Sequence, residues 1–166
     1  MKKRLAYPFL YEASRLVDYE ILTDKLASTI AHAASFADDF PAFKKELIDV
    51  TAMTYHLNGS IRGKLGVTEA DLSFLMQQYA LYEQKTHALK KFVLPQGTPL
   101  ATNLHIARSM AKEVVRMMHI IKQDDTFVDP LLFDIANALS DYLFVVSLYA
   151  NKLAGVKEIP FESRSY

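Results

Sequence analysis

Residues 98–123 read TPLATNLHIARSMAKEVVRMMHIIKQ. Thr98 can accept a backbone N–H, and Pro99 suits the first helical position, where a missing N–H costs nothing. Behind this start Leu100, Leu104, Ala107, Ala111, Val114, Met118 and Ile121 recur at spacings of three and four. That is the seven-residue apolar repeat of a long helix packed on one face against other helices. A strand would show an alternation of every second residue instead.

The same signals recur outward from this stretch. Asp129 and Pro130 repeat the start, opening a helix that carries Leu132, Ile135, Leu139, Tyr142, Val146 and Tyr149 until Gly155 stops it. Upstream, Thr68 and Asp71 resemble a capping box before a stripe of Leu72, Leu75, Tyr79 and Tyr82, which predicts a helix to about Lys90. Pro41 fits the first turn of another, from Ala42 to Gly59 or Gly63, with Phe43, Leu47, Val50 and Leu57 on one face. The first helix spans about Glu12 to Phe36 through Leu22, Leu26, Ile30 and Ala33. Short connections between long helices favour an antiparallel arrangement. The expectation is an all-α five-helix bundle without a sheet, one domain over residues 1–166, with 1–11 a flexible N-terminal segment and 156–166 a C-terminal tail. Phe92 to Gly97 is the exception among the connections, because Phe92, Val93 and Leu94 precede Pro95 where a solvent loop would be polar. Another surface should cover it.

Composition narrows the function. Nineteen basic side chains balance 19 acidic ones, so no global field holds a nucleic acid or an anionic membrane. The absence of cysteine excludes disulfides and thiolate metal sites. The start, MKKRLAYPFLYEASR, has an apolar stretch broken by Pro8 and Glu12, unlike a signal peptide. Apolar runs such as Tyr142 to Val146 fall well short of the roughly 20 residues of a membrane span. A cytoplasmic protein with neither nucleic-acid nor membrane partners is expected.

Few polar residues suggest chemistry. Arg108, Lys112 and Arg116 stand at i, i+4 and i+8, a basic row that could grip phosphates or simply be a solvated face. Asn137 and Asp141 lie one turn apart, with Ser140 beside them and Asn151 further along the same apolar helix. They fit either a buried structural network or a ligand site. His32, His56, His87, His105 and His119 make no metal-ligand spacing, and Glu83 with His87 is an isolated pair, so structural or surface roles are expected for them. No P-loop, nucleophile elbow or dinucleotide fingerprint is present.

Two blocks are more specific. FVLPQGTPLATNLHIARSMAKEVVR, residues 92–116, and NALSDYLFVVSLYAN, residues 137–151, closely resemble the PduO-type ATP:corrinoid adenosyltransferases. That family shows an F-x-L-P-G-G segment, an L-H-x-A-R stretch, and a last helix reading N-R-L-S-D-x-L-F and ending in Y-A-N. Asp24-Lys25-Leu26-Ala27-Ser28-x-Ile30 is similar to its D-E-L-N-S-x-I, so the likeness covers roughly residues 18–151. The resemblance implies a five-helix bundle assembled as a homotrimer, with sites between subunits. It implies that cob(I)alamin attacks C5′ of ATP, giving adenosylcobalamin and triphosphate, with Mg²⁺ bridging the phosphates. It places Phe92 beneath the corrin, pairs Asp24 with Arg108 across the subunit boundary, and sets Lys112, Arg116, Asn137 and Asp141 toward the nucleotide.

The departures fall on the nucleotide side. Nothing like the family's T-G-D-x-G-T-T segment precedes Asp24, Lys112 stands where an arginine contacts ATP, and R-R-A-E-R becomes Lys112-Glu113-Val114-Val115-Arg116. Lysine offers a point charge where arginine offers a two-pronged fork. Two expectations follow. One is an adenosyltransferase that holds ATP by other groups, Lys2, Lys3 and Arg4 among them. The other is a corrinoid-binding or scaffolding relative without catalysis.

Overall fold

Each helix begins where a side chain or a proline serves its first turn. Ser14 Oγ accepts the Leu16 N–H at 3.2 Å and opens α1, Arg15–Ala34, while Pro41 opens α2, Pro41–Ser60. The Asp71 carboxylate reaches back to the Thr68 N–H at 2.7 Å, the box that starts α3, Glu69–Thr86. Thr98 accepts from Ala101 N–H at 3.1 Å before α4, Pro99–Gln123, and Asp129 accepts from Leu131 N–H at 2.9 Å before α5, Pro130–Leu153. The computed structural model describes residues 9–87 and 91–165, and over these the protein is the expected all-α five-helix bundle.

Two helix ends differ from expectation. α1 starts at Arg15 because Ser14 caps it, and Glu12 turns instead to accept from Arg62 Nη1 at 3.2 Å. α3 stops at Thr86, short of Lys90, because His87 takes a left-handed conformation with φ +48° and returns its N–H to Glu83 O. Residues 88–90 lie outside the described residues, as do Lys2, Lys3 and Arg4. In the segment expected to be flexible, Phe9 lies under the Arg62 guanidinium at 4.0 Å, so its described part is tied to the bundle.

α4 packs against α1 and α5, α1 also against α2, and α5 also against α3. Side chains then close the ring: Glu46 on α2 accepts from Tyr82 of α3 at 3.0 Å and Tyr142 of α5 at 2.7 Å. Every residue of the α4 repeat is buried. α5 is long and apolar enough by composition to cross a membrane, yet 61% of its most apolar window is buried inside the bundle. Its buried Asn151 and Ser147 find hydrogen-bond partners there, as a core helix requires.

The stretch before α4 is paired along one edge by the chain's own C-terminus, while the Phe92 and Leu94 side chains stay exposed. Leu94 N–H donates to Ile159 O at 2.9 Å and Phe161 N–H donates to Phe92 O at 2.8 Å. Residues 156–161 therefore form a strap along one edge of this segment, where the sequence suggested only a tail. Asn151, fully buried, fixes the segment from beneath: its Oδ1 accepts from Thr98 N–H at 3.1 Å, and its Nδ2 donates to Gln96 O and Glu158 Oε1, each at 2.9 Å.

Candidate functional site

α4, α5 and residues 91–93 enclose a cleft of about 370 Å³. Phe92, Arg108, Lys112 and Asp141 all line it, so four of the seven residues singled out from the sequence come together. Phe92 stands at its mouth with 68% of its surface exposed, while its backbone is held by the C-terminal strap. Asp141 shares the wall with Lys112. Partial desolvation raises the Asp141 carboxyl above its ordinary pKa, and the Lys112 charge opposes that rise.

Arg108 is half-buried against the Phe144 ring, whose centroid is 5.8 Å from the guanidinium carbon. Among the described residues no carboxylate pairs with it, and its Nε is closed to water without a hydrogen-bond partner. Burial lowers its pKa, although a guanidinium keeps its charge in proteins. An unpaired cation in an apolar wall is costly unless an anion arrives from outside the chain.

The other three residues lie elsewhere in the chain. Asp24 is exposed on α1, where its Oδ1 accepts from Tyr55 OH at 2.6 Å in a small cleft with Glu20, Ile21 and Asn58. Arg116 is exposed and does not line the cleft. Asn137 opens into a neighbouring groove with Met76 and Tyr79, sharing only Asp141 with the cleft, and its Nδ2 donates to Phe133 O at 2.9 Å. A larger hollow of about 570 Å³ sits at the far end of α4, beside Glu12, Asp18 and Asp124. Its acidic lining is unsuited to phosphates, and none of the seven residues reaches it.

His105, assigned by sequence to a structural or surface role, is 3% exposed and lines the cleft next to Arg108. Ser147 Oγ donates to Phe144 O at 2.6 Å, which occupies its only proton. With that proton so placed, the His105 Nε2, 3.2 Å from the same Oγ, is assigned as the donor and Nδ1 as a bare acceptor. Nδ1 is buried and has no partner among the described residues. Burial, and secondarily the Arg108 charge, lower the His105 pKa from 6.5 to about 4.

That shift fixes a pH dependence. Unfolded His105 takes up its proton near pH 6.5 and the folded residue only near 4, so the unfolded state binds more protons in between and stability falls as pH drops through that window. Urea midpoints at pH 7 and pH 5 should therefore differ more in the wild type than in His105→Gln. Equal pH dependence in both proteins would exclude the shift.

Among the described residues no cluster of His, Asp or Glu is arranged to hold a metal ion.

Comparison with known proteins gives the chain a family. The cobalamin adenosyltransferase family model matches residues 14–150. The corrinoid adenosyltransferase of Bacillus subtilis (strain 168) is 28% identical over 147 residues, covering 84% of this chain and 76% of the relative. That of Mycobacterium leprae is 29% identical over 120 residues, covering 69% and 63%. Among solved structures, an Arg-to-Lys variant of the PduO-type adenosyltransferase from Lactobacillus reuteri, complexed with ATP, superposes with a TM-score of 0.82 at 24% identity, covering 91% of this chain and 89% of that one. A Phe-to-Ala variant of the Lactobacillus reuteri enzyme, complexed with cobalamin and ATP, gives 0.81 at 22% identity, covering 92% and 88%. The fold is thus that of the PduO-type enzymes, and the match over residues 14–150 shows that the chain belongs to the cobalamin adenosyltransferase family.

Proposed function

We propose that this protein transfers the 5′-deoxyadenosyl group of ATP to the cobalt of cob(I)alamin. The cobalt electron pair forms the Co–C5′ bond, the bond from C5′ to the triphosphate oxygen breaks, and triphosphate leaves with those electrons. The observation that carries this reading is the cleft itself: an exposed apolar Phe92 beside a half-buried Arg108 that lacks an anion in its own chain, with Lys112 on the same wall. The apolar part suits a corrin face, Lys112 suits a phosphate chain, and Arg108 calls for an anion from outside its own chain. The orphaned polar atoms of His105 and Arg108 fit a ligand rich in hydrogen-bonding groups. Mg²⁺ would screen the phosphates, with Asp141 a carboxylate on the same cleft wall.

Lysine can also serve a phosphate chain as a point charge, and a PduO-type relative with one arginine changed to lysine is known complexed with ATP. We assign the chain to a homotrimer in which Arg108 meets Asp24 of a neighbouring copy, because the two do not pair within one chain. Arg108→Ala should then weaken assembly by about tenfold or more, read as a shift toward monomer in sedimentation at matched concentration. An unchanged mass and melting temperature would remove the pair.

Corrinoid binding without transfer is the second reading, favoured by Arg116 and Asn137 standing outside the cleft. Anaerobic titration with cob(I)alamin, with and without Mg·ATP, separates the two. ATP-dependent appearance of the adenosylcobalamin spectrum supports transfer; a corrinoid spectrum perturbed by protein but indifferent to ATP supports binding alone.

A further inference from the structure

We propose that His105 Nδ1 and Arg108 Nε form a paired acceptor–donor subsite that reads a primary carboxamide on the rim of the corrinoid. The inference rests on the corrinoid reading above and deepens it. The two atoms are the buried side-chain polar atoms of the cleft that no described residue satisfies. They come from residues one turn apart on α4, whose Cβ atoms in a helix are about 5–6 Å apart. Buried polar atoms without partners are rare in native proteins, and two on one wall call for a common partner.

The chemistry of the pair selects that partner. Nε–H of Arg108 only donates. Nδ1 of His105 only accepts, because Ser147 fixes the ring proton on Nε2. A phosphate would serve Arg108 but set lone pairs against Nδ1; an ammonium would do the reverse, and an ester has no donor. A primary carboxamide presents a carbonyl oxygen and an N–H side by side in one plane, and corrinoids carry acetamide and propionamide groups around the ring. The lowered His105 pKa keeps the acceptor neutral beside a cation at physiological pH. Both atoms are closed to water in this conformation, and the Arg108 side chain rests on the Phe144 ring and makes no ion pair within the described residues. Rotation of that side chain, when its terminal nitrogens engage an anion, opens the pair.

The test compares two probes that differ in the side-chain groups: cob(II)inamide, with primary amides, and the heptamethyl ester of cob(II)yrinic acid, which has none. Anaerobic absorbance titration should give the wild type at least about tenfold tighter binding of the amide probe, the weight of one to two hydrogen bonds. In His105→Leu the two affinities should converge, and His105→Gln, whose side-chain oxygen can accept, should recover part of the difference. A wild type that binds both probes equally overturns the subsite alone. Discrimination that survives in His105→Leu also overturns it. A wild type that binds neither overturns the corrinoid reading and the subsite with it. If His105→Leu does not fold, the wild-type ¹⁵N spectrum decides, taken with the diamagnetic cob(III) forms of the two probes: the Nδ1 resonance should move on adding the amide probe and not with the ester, and an unmoved resonance overturns the proposal.

Discussion

Phe92→Ala is expected to slow adenosylation that starts from cob(II)alamin by about a hundredfold, equivalent to roughly 2.7 kcal/mol of barrier, while the reaction from pre-reduced cob(I)alamin stays within a few fold. The asymmetry follows from what a phenyl ring can do. At the mouth of the cleft Phe92 exposes 68% of its surface, an unfavourable place for an aromatic ring unless a ligand covers it. Its backbone oxygen accepts from Phe161 N–H at 2.8 Å and the adjoining Leu94 N–H bonds Ile159 O, so the ring projects from a braced segment. Beneath a corrin, an apolar side chain excludes the lower axial donor and supplies none in its place. Cob(II)alamin without axial donors is easier to reduce, which matters only when reduction precedes transfer. The two assays share the nucleotide, the protein and the product, and differ in the oxidation state offered. Equal losses in both would take Phe92 out of the axial role and leave it a packing residue.

The starts of α4 and α5 were legible because they are local. Thr98-Pro99 and Asp129-Pro130 carry their caps in adjacent residues, and the α4 repeat declares its buried face without reference to any partner. The end of α3 was not, since a left-handed His87 has no signature of the kind a glycine gives. The basic row was legible only in part. Steps of four residues on a helix of 3.6 per turn advance about 40° each, so Arg116 is turned about 80° from Arg108 and leaves the cleft that Arg108 and Lys112 line. The same drift parts Asn137 from Asp141, which faces the cleft while Asn137 opens into the next groove. His105 lies inside the motif yet reads from sequence as structural or surface, because its acceptor character depends on Ser147, 42 residues away, and on which atom holds a proton. The C-terminal strap has no periodicity to read; its hydrogen bonds run through backbone atoms that any sequence supplies.

Gly97→Ala should lower stability by about 3 kcal/mol or more, and so the melting temperature by roughly 6–12 °C for a chain of this size. Two costs combine. Gly97 has φ +115°, a conformation that side chains rarely adopt. A Cβ there would also lie 2.1 Å from Asn151 Oδ1 and 2.6 Å from its Cγ and Nδ2. Asn151 cannot yield, because it is fully buried and retreat would strand the Thr98 N–H, the Gln96 carbonyl and Glu158 together. The backbone must move instead, and it is the backbone that carries Phe92. The fold and the chemistry therefore meet at this glycine: Asn151 anchors the start of α4 and the strap, and the two hold the segment that presents the ring. A double variant, Gly97→Ala with Asn151→Ala, isolates the clash. If the contact is responsible, the double variant loses clearly less stability than the two single losses added, since removing the amide makes room for the methyl group. Strict additivity would assign the whole cost to the positive φ, and a single variant melting within 2 °C of wild type would show that the segment relaxes freely around position 97.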